Sequence, residues 1–215
     1  MPFYIITIVI SFLASLGALG AKKNRTLIFF SFAFFLFLSA IVEYIGWRMS
    51  AKYYHTLALY NFFTFFEFIF YLFFFRALFD SPKIKRIIFI VIICYFICTL
   101  VNILFFQGRS TFHTYTYLLG CTLMVIFSIV YFNLLLRVPE TGSLIKNPFF
   151  WIVAGLLVFY TCNFTLSGLD NYIAKTIKYY TKFLFLITDL LNTLLYTLFT
   201  IGFLCKMNFR KLTSL

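Results

Sequence analysis

The chain has 215 residues, 63% of them hydrophobic and 11% charged, with a mean hydropathy of +1.00. A soluble domain carries about 25% charged residues, so this composition excludes a soluble globular surface and makes the chain an integral membrane protein. The net charge is +12, but each Lys and Arg falls in or beside a short gap between apolar runs. That is the pattern of membrane topology signals, not the clustered basic face of a nucleic-acid binder.

A bilayer core needs about 20 apolar residues per helix. Seven stretches meet that length, roughly Pro2–Ala21, Thr26–Trp47, Leu57–Leu78, Ile87–Phe106, Phe112–Leu136, Pro148–Ser167 and Phe183–Cys205. The connections are short, so neighbours pack antiparallel. The expectation is an all-α bundle of seven transmembrane helices forming one domain over residues 1–215, with no repeat and no soluble module. The abundant Phe (34 residues) is also what AT-rich codons give, so not every Phe is read as a choice.

The first span places Ser11, Ala14, Ser15, Gly17, Ala18 and Ala21 at spacings that let helix backbones approach closely. Lys22, Lys23 and Arg25 follow it rather than precede it, which is not the order of a cleaved signal peptide. The second span ends in Glu43, Tyr44 and Trp47, with Arg48 just beyond.

The third span contains "YNFFTFFEFIFYLFFF". Its Tyr60, Thr64, Glu67 and Tyr71 are spaced 4, 3 and 4, so they line one helical face, with Asn61 beside them. A charge at mid-membrane costs about 2.5–3.5 kcal/mol, while each Phe returns about 0.3 or a little more. Nine Phe in this span roughly cancel Glu67, and the helix inserts with its polar stripe turned inward. An acid within a membrane span points to a functional site.

The fourth span carries Cys94 and Cys98, one turn apart, and Asn102 near its end. With Cys121, Cys162 and Cys205 these cysteines lie in apolar runs and read as small buried hydrophobes. The fifth opens on His113, Tyr115 and Tyr117. "KNPFFW" reads as an Asn147 cap with Pro148 in the first turn of the sixth span, which ends near Cys162 and Asn163. The segment "LDNYIAKTIKYYTK" has an apolar and a basic face. It suits a helix at the headgroups or an extension of the seventh span. In that last span Asp189, Asn192, Tyr196 and Thr200 are spaced 3, 4 and 4, again one face.

Counting Lys and Arg sets the orientation. Lys22, Lys23, Arg25, Arg76, Lys83, Lys85, Arg86, Arg137, Lys146, Lys206, Arg210 and Lys211 lie on one side. Arg48, Lys52, Arg109, Lys175, Lys178 and Lys182 lie on the other. The richer side is read as cytoplasmic, with the N-terminus outside and the C-terminus inside. Glu43, Asn61, Asn102, His113, Asn163, Asp189 and Asn192 then share the outer half, and Glu67 marks a floor near the midplane. If these stripes face one another, they form a polar cavity open to the outside. Unpaired buried carboxylates take up protons, so Glu67 is expected to be neutral at pH 7. It would be hydrogen-bonded to a Tyr, Asn or Thr, as a ligand contact, a proton carrier or a helix clamp.

Several chemistries lack their residues. No Lys between Lys182 and Lys206 offers a retinal Schiff base. A zinc hydrolase of the seven-helix lipid-amidase kind wants about three His ligands, whereas the chain has His55 and His113 only. His113 with two carboxylates is the remaining metal set. Neither a Gly-rich phosphate loop nor a GxSxG elbow occurs. No metal or other cofactor is expected, and no nucleic-acid partner.

Together, "YNFFTFFEFIFYLFFF", "FHTYTYLLG" and "KNPFFWI" resemble a widespread family of small bacterial seven-helix inner-membrane proteins to which no activity is assigned. The resemblance covers nearly the whole chain. It implies the topology above and a bacterial cytoplasmic (inner) membrane, and it carries over no catalytic residue.

The leading functional expectation is a membrane sensor or ligand-binding module. Its site would comprise Glu43, Tyr60, Asn61, Thr64, Glu67, Tyr71, Asn102, His113, Asn163, Asp189, Asn192 and Tyr196. It would take a small or lipid-like ligand and signal through a membrane partner. The alternatives are a proton-coupled transporter using Glu67 and a lipid-modifying enzyme using His113 with Asp189 or Glu43. Transport is disfavoured by the absence of mid-span Pro and of internal repeats. A structural or assembly role completes the set.

Overall fold

Within hydrocarbon a chain must satisfy its backbone polar groups inside its own segment, so each long apolar run becomes a helix. The computed structural model describes residues 2–20, 26–52, 54–108, 111–137, 144–173 and 180–212. Among these residues are seven α-helices: α1 (Phe3–Leu19), α2 (Thr26–Ala51), α3 (Leu57–Leu78), α4 (Pro82–Val101), α5 (Thr114–Arg137), α6 (Pro148–Ile173) and α7 (Tyr180–Leu212). Six of them are long and apolar enough to cross a membrane, and α1, with 17 residues, is the shorter apolar helix. The architecture is an all-helical bundle of the multi-pass membrane kind.

Several helices outrun the expected spans. α4 starts five residues early because Ser81 and Pro82 open it, the proline taking a first-turn position where its missing amide costs nothing. It continues through a π-helical turn, Asn102–Phe106, closed by the Gln107 amide on the Asn102 carbonyl at 2.9 Å. α6 opens as its sequence suggests, with Asn147 Oδ1 accepting from the Phe149 amide at 3.0 Å. The basic segment over 169–182 has its side chains outside the described residues, as do Lys22, Lys23, Arg25, Arg109, Arg210 and Lys211.

Helices α1, α2, α3, α5, α6 and α7 pack in sequence around the bundle, and α1 closes the ring against α7. α4 rests outside the ring, against α3 and α5. Its buried residues Ile88, Ile92, Tyr95 and Thr99 form one narrow stripe. Cys94 and Cys98 fall off that stripe and are exposed, which corrects the expectation that all the cysteines are buried. A peripheral helix needs only one packed face, and the rest of its surface meets lipid.

Aromatic packing fills the centre. The Phe32 ring meets Phe70, Phe74 and Phe199 edge-on at 5.0–5.6 Å, and Phe35 stacks on Phe70 at 4.2 Å. On α5, Gly120 is required by a close approach, because a Cβ there would overlap the Phe68 ring. At one end of the bundle Lys206 lays its ammonium on the Phe29 ring, 3.6 Å from the centroid. The acids Glu43 and Asp189 stand toward the opposite end.

Candidate functional site

Glu43, near the C-terminal end of α2, is the anchor of the acidic end. Its Oε2 accepts from the Tyr4 hydroxyl at 2.7 Å and from the Tyr60 hydroxyl at 3.3 Å. One carboxylate thereby ties α1, α2 and α3. Gly46, nearly one turn further along α2, makes room for the arrangement, since a Cβ there would collide with the Tyr60 phenol. Asp189 on α7 lies close enough to act electrostatically on both Glu43 and Tyr4.

Glu67 lies within electrostatic range of polar groups on several helices. Its carboxyl interacts electrostatically with Glu43 on α2, Tyr71 on α3, Tyr95 on α4, Tyr117 and Cys121 on α5, Tyr160 on α6 and Tyr196 on α7. Tyr160 stands at the margin of hydrogen-bonding contact with it. Yet neither the Tyr160 nor the Tyr71 hydroxyl has a partner of full hydrogen-bonding geometry, although both residues are 0% exposed. A buried hydroxyl without a partner is costly, so these two phenols are open positions in the bundle's polar accounting.

Glu67 itself retains partial accessibility. Toward the Lys206 end Phe68, Tyr71, Leu72, Phe75, Tyr160 and Phe199 have no accessible surface, so the interior is filled there. Toward the other end Thr64, Tyr60, Glu43 and Asn192 are all partly accessible. Glu67 thus stands between filled packing on one side and the partly accessible polar residues around Glu43 on the other.

Other expected site residues serve a neighbouring feature. Asn61 donates from Nδ2 to the Thr111 carbonyl at 2.9 Å and accepts from the His113 amide at 3.1 Å. His113 Nε2 contacts the Gly108 carbonyl at 2.9 Å. Asn102 Nδ2 donates to Gln107 Oε1 at 2.9 Å, and the same oxygen accepts from the Tyr115 amide. These three side chains fasten the connection between α4 and α5. Behind them a space of about 10 Å³, the size of one water, is lined by Asn61, Thr64, Tyr95, Thr99, His113 and Thr116. A groove of about 490 Å³ adjoins it, walled by Phe62, Phe96, Leu100 and Leu104.

Asn163 and Asn192 spend their amides on their own helices, donating to the Phe159 and Thr188 carbonyls. Tyr196 is buried beside Ser39 and within reach of both Glu43 and Glu67. Among the described residues no Lys or Arg pairs with Glu43, Glu67 or Asp189, and no three His, Cys, Asp or Glu side chains are placed to hold a metal ion.

Tyr4, Tyr95 and Tyr160 stand near the acids without having been marked in the sequence, whereas Tyr117 was noted at the opening of the fifth span. Two of them carried a signal. Tyr4 shares a face with Ser11, Ser15 and Ala18, and Tyr160 lies three residues before Asn163. No protein-family model matches the chain, and neither does any curated protein or solved structure.

Proposed function

We propose that the chain is a membrane ligand-binding module, a sensor with a polar recess between its helices, whose ligand enters there and rests against Glu67. In this reading seven helices cross a bacterial inner membrane, α1 included. The N-terminus lies outside and the recess opens to the outer side. The family resemblance and the count of cations at each end support the orientation.

One observation carries the reading. Inside the bundle an acid keeps accessible surface while no Lys or Arg among the described residues pairs with it. The closed packing beyond Glu67 favours binding over passage, since a transporter needs a route past its central acid. The readout would pass to a membrane partner through the helices that the ligand contacts.

Native mass spectrometry of the protein released from a mild detergent tests this. The expected result is a reproducible added mass on the wild-type chain that is absent from a folded Glu67→Gln variant. An added mass that Glu67→Gln retains would place the ligand elsewhere and overturn the reading.

A further inference from the structure

We infer that the groove between α3 and α4 binds a lipid alcohol, its hydrocarbon chain lying along the groove and its hydroxyl entering the small polar space behind it, at Asn61 and His113. This site is separate from the recess at Glu67 and does not depend on it.

The groove exists because α4 touches α3 near mid-helix and parts from it toward the α4–α5 connection. At the closed end the Phe65 ring meets Tyr95 and Phe96, with centroids 6.1 and 5.9 Å apart. Ala58 lies two turns away on the same face of α3, about 10 Å along the helix, and its methyl is too short to bridge to α4. The π-helical turn carries α4 onward and sets Leu104 in the wall. The space between the helices is about 490 Å³, within the range of about 300–1,000 Å³ that encloses small organic ligands. Phe62 and Leu104 in its walls are 73% and 70% exposed, on a surface that hydrocarbon covers in a membrane. A hydrocarbon chain is therefore the natural filling.

Asn61, Phe65, Thr99 and His113 line both this groove and the space of about 10 Å³ behind it, which makes the small space the groove's polar inner end. Its size suits one oxygen with its hydrogen, the equivalent of a single water. Two hydrogen-bonding groups are left over there from the fastening of the α4–α5 connection. A carbonyl only accepts, so the contact of His113 Nε2 with the Gly108 carbonyl puts the proton on Nε2 and, in the neutral ring, leaves Nδ1 as an acceptor. The Asn61 side-chain amide has two N–H groups and donates one to the Thr111 carbonyl, which leaves the other as a donor. A hydroxyl both donates and accepts, so it answers the pair.

Charge and size narrow the class further. Among the described residues no Lys or Arg lines either space, so nothing there balances a phosphate. A phosphate group also brings several oxygens to a space that holds one. A carboxylate has no proton to give to Nδ1. A bare alkane would bury both leftover polar groups unanswered, which is costly.

The test uses full-length protein in phosphatidylcholine nanodiscs. It is photolabelled with hexadecanol carrying a diazirine in its chain, and with the matched hexadecyl methyl ether, which cannot donate a hydrogen bond. Labelled residues are mapped by peptide mass spectrometry. The alcohol is expected to label residues 58–65 and 96–104, and the ether about tenfold less there, as the loss of one buried hydrogen bond implies. Ala58→Trp, at an exposed position, should fill the groove and cut labelling by the alcohol roughly tenfold. His113→Leu should bring the alcohol down to the level of the ether. Leu100→Trp fills the groove from exposed α4 and keeps the test decisive if another variant does not fold.

Labelling spread evenly over the lipid-facing helices overturns the site, as does labelling of 58–65 and 96–104 that persists in both Trp variants. Equal labelling by alcohol and ether in the wild-type chain overturns the assignment too, since the groove would then hold ordinary phospholipid chains.

Discussion

Glu43 shows what a single side chain contributes to this fold and why sequence alone does not reveal it. Its hydrogen bond from Tyr4 spans 39 positions, a separation that no helical spacing rule reaches. The stripe of Tyr60, Thr64, Glu67 and Tyr71 is local, and its face can be read from its periodicity. Interhelical hydrogen bonds in membranes are worth about 0.6 kcal/mol on average and at most about 1.7. Tyr4→Phe should therefore lower the unfolding free energy by about that much, read in mixed detergent micelles. A change indistinguishable from zero would mean that Glu43 finds an equal partner without Tyr4. At Gly120 the argument is steric. A methyl group would enter the Phe68 ring, and overpacking of a filled core costs typically about 1–3 kcal/mol. Gly120→Ala should lose stability in that range, and paired with Phe68→Leu it should lose less than the sum of the two single changes.

Among the elements, α4 and its continuation differ most from the sequence reading. The apolar run gave its existence but not its place, because hydrophobicity all round is shared by a central helix and by one facing lipid. Only the stripe Ile88, Ile92, Tyr95 and Thr99 reveals a peripheral position, and it is hard to read where most neighbours are also apolar. Asn102 and His113, expected to share a ligand site, meet the connection that follows the π-helical turn instead. Asn61 is the cross-link from α3 to that connection, through the Thr111 carbonyl and the His113 amide. Each such bond contributes about 0.5–1.5 kcal/mol. Asn61→Ala should speed hydrogen exchange at the His113 amide roughly tenfold or more while leaving amides in the middle of α5 unchanged. Uniform acceleration across α5 would instead show that Asn61 supports the whole helix.

For the molecule as a whole, composition and run lengths were enough to give the helical bundle, and the charge count supplies only an expected direction for its ends. What they leave to be measured is the number of crossings, and α1 decides it. At about 1.5 Å per residue its 17 residues reach about 25 Å, against a hydrocarbon core of about 30 Å. Its buried residues Ile5, Ile8, Ser11, Ser15 and Ala18 run along its entire length, and it packs lengthwise on α2 and α7. A helix lying flat at the headgroups would bury one face against the membrane surface rather than against two upright helices, so α1 is expected to cross, with local thinning or headgroup-level residues absorbing the mismatch. Seven crossings put the two termini on opposite sides, while six put them on the same side. Exposed Lys52, beyond α2, and exposed Lys83, opening α4, mark the two ends of the bundle. In intact cells an impermeant thiol reagent should label a Lys52→Cys variant and not a Lys83→Cys variant. An N-terminal epitope should then be accessible together with Lys52→Cys, and a C-terminal epitope only after lysis. An N-terminal epitope hidden with the C-terminal one would show that α1 does not cross. Labelling of Lys83→Cys in place of Lys52→Cys would invert the bundle and turn the recess toward the cytoplasm.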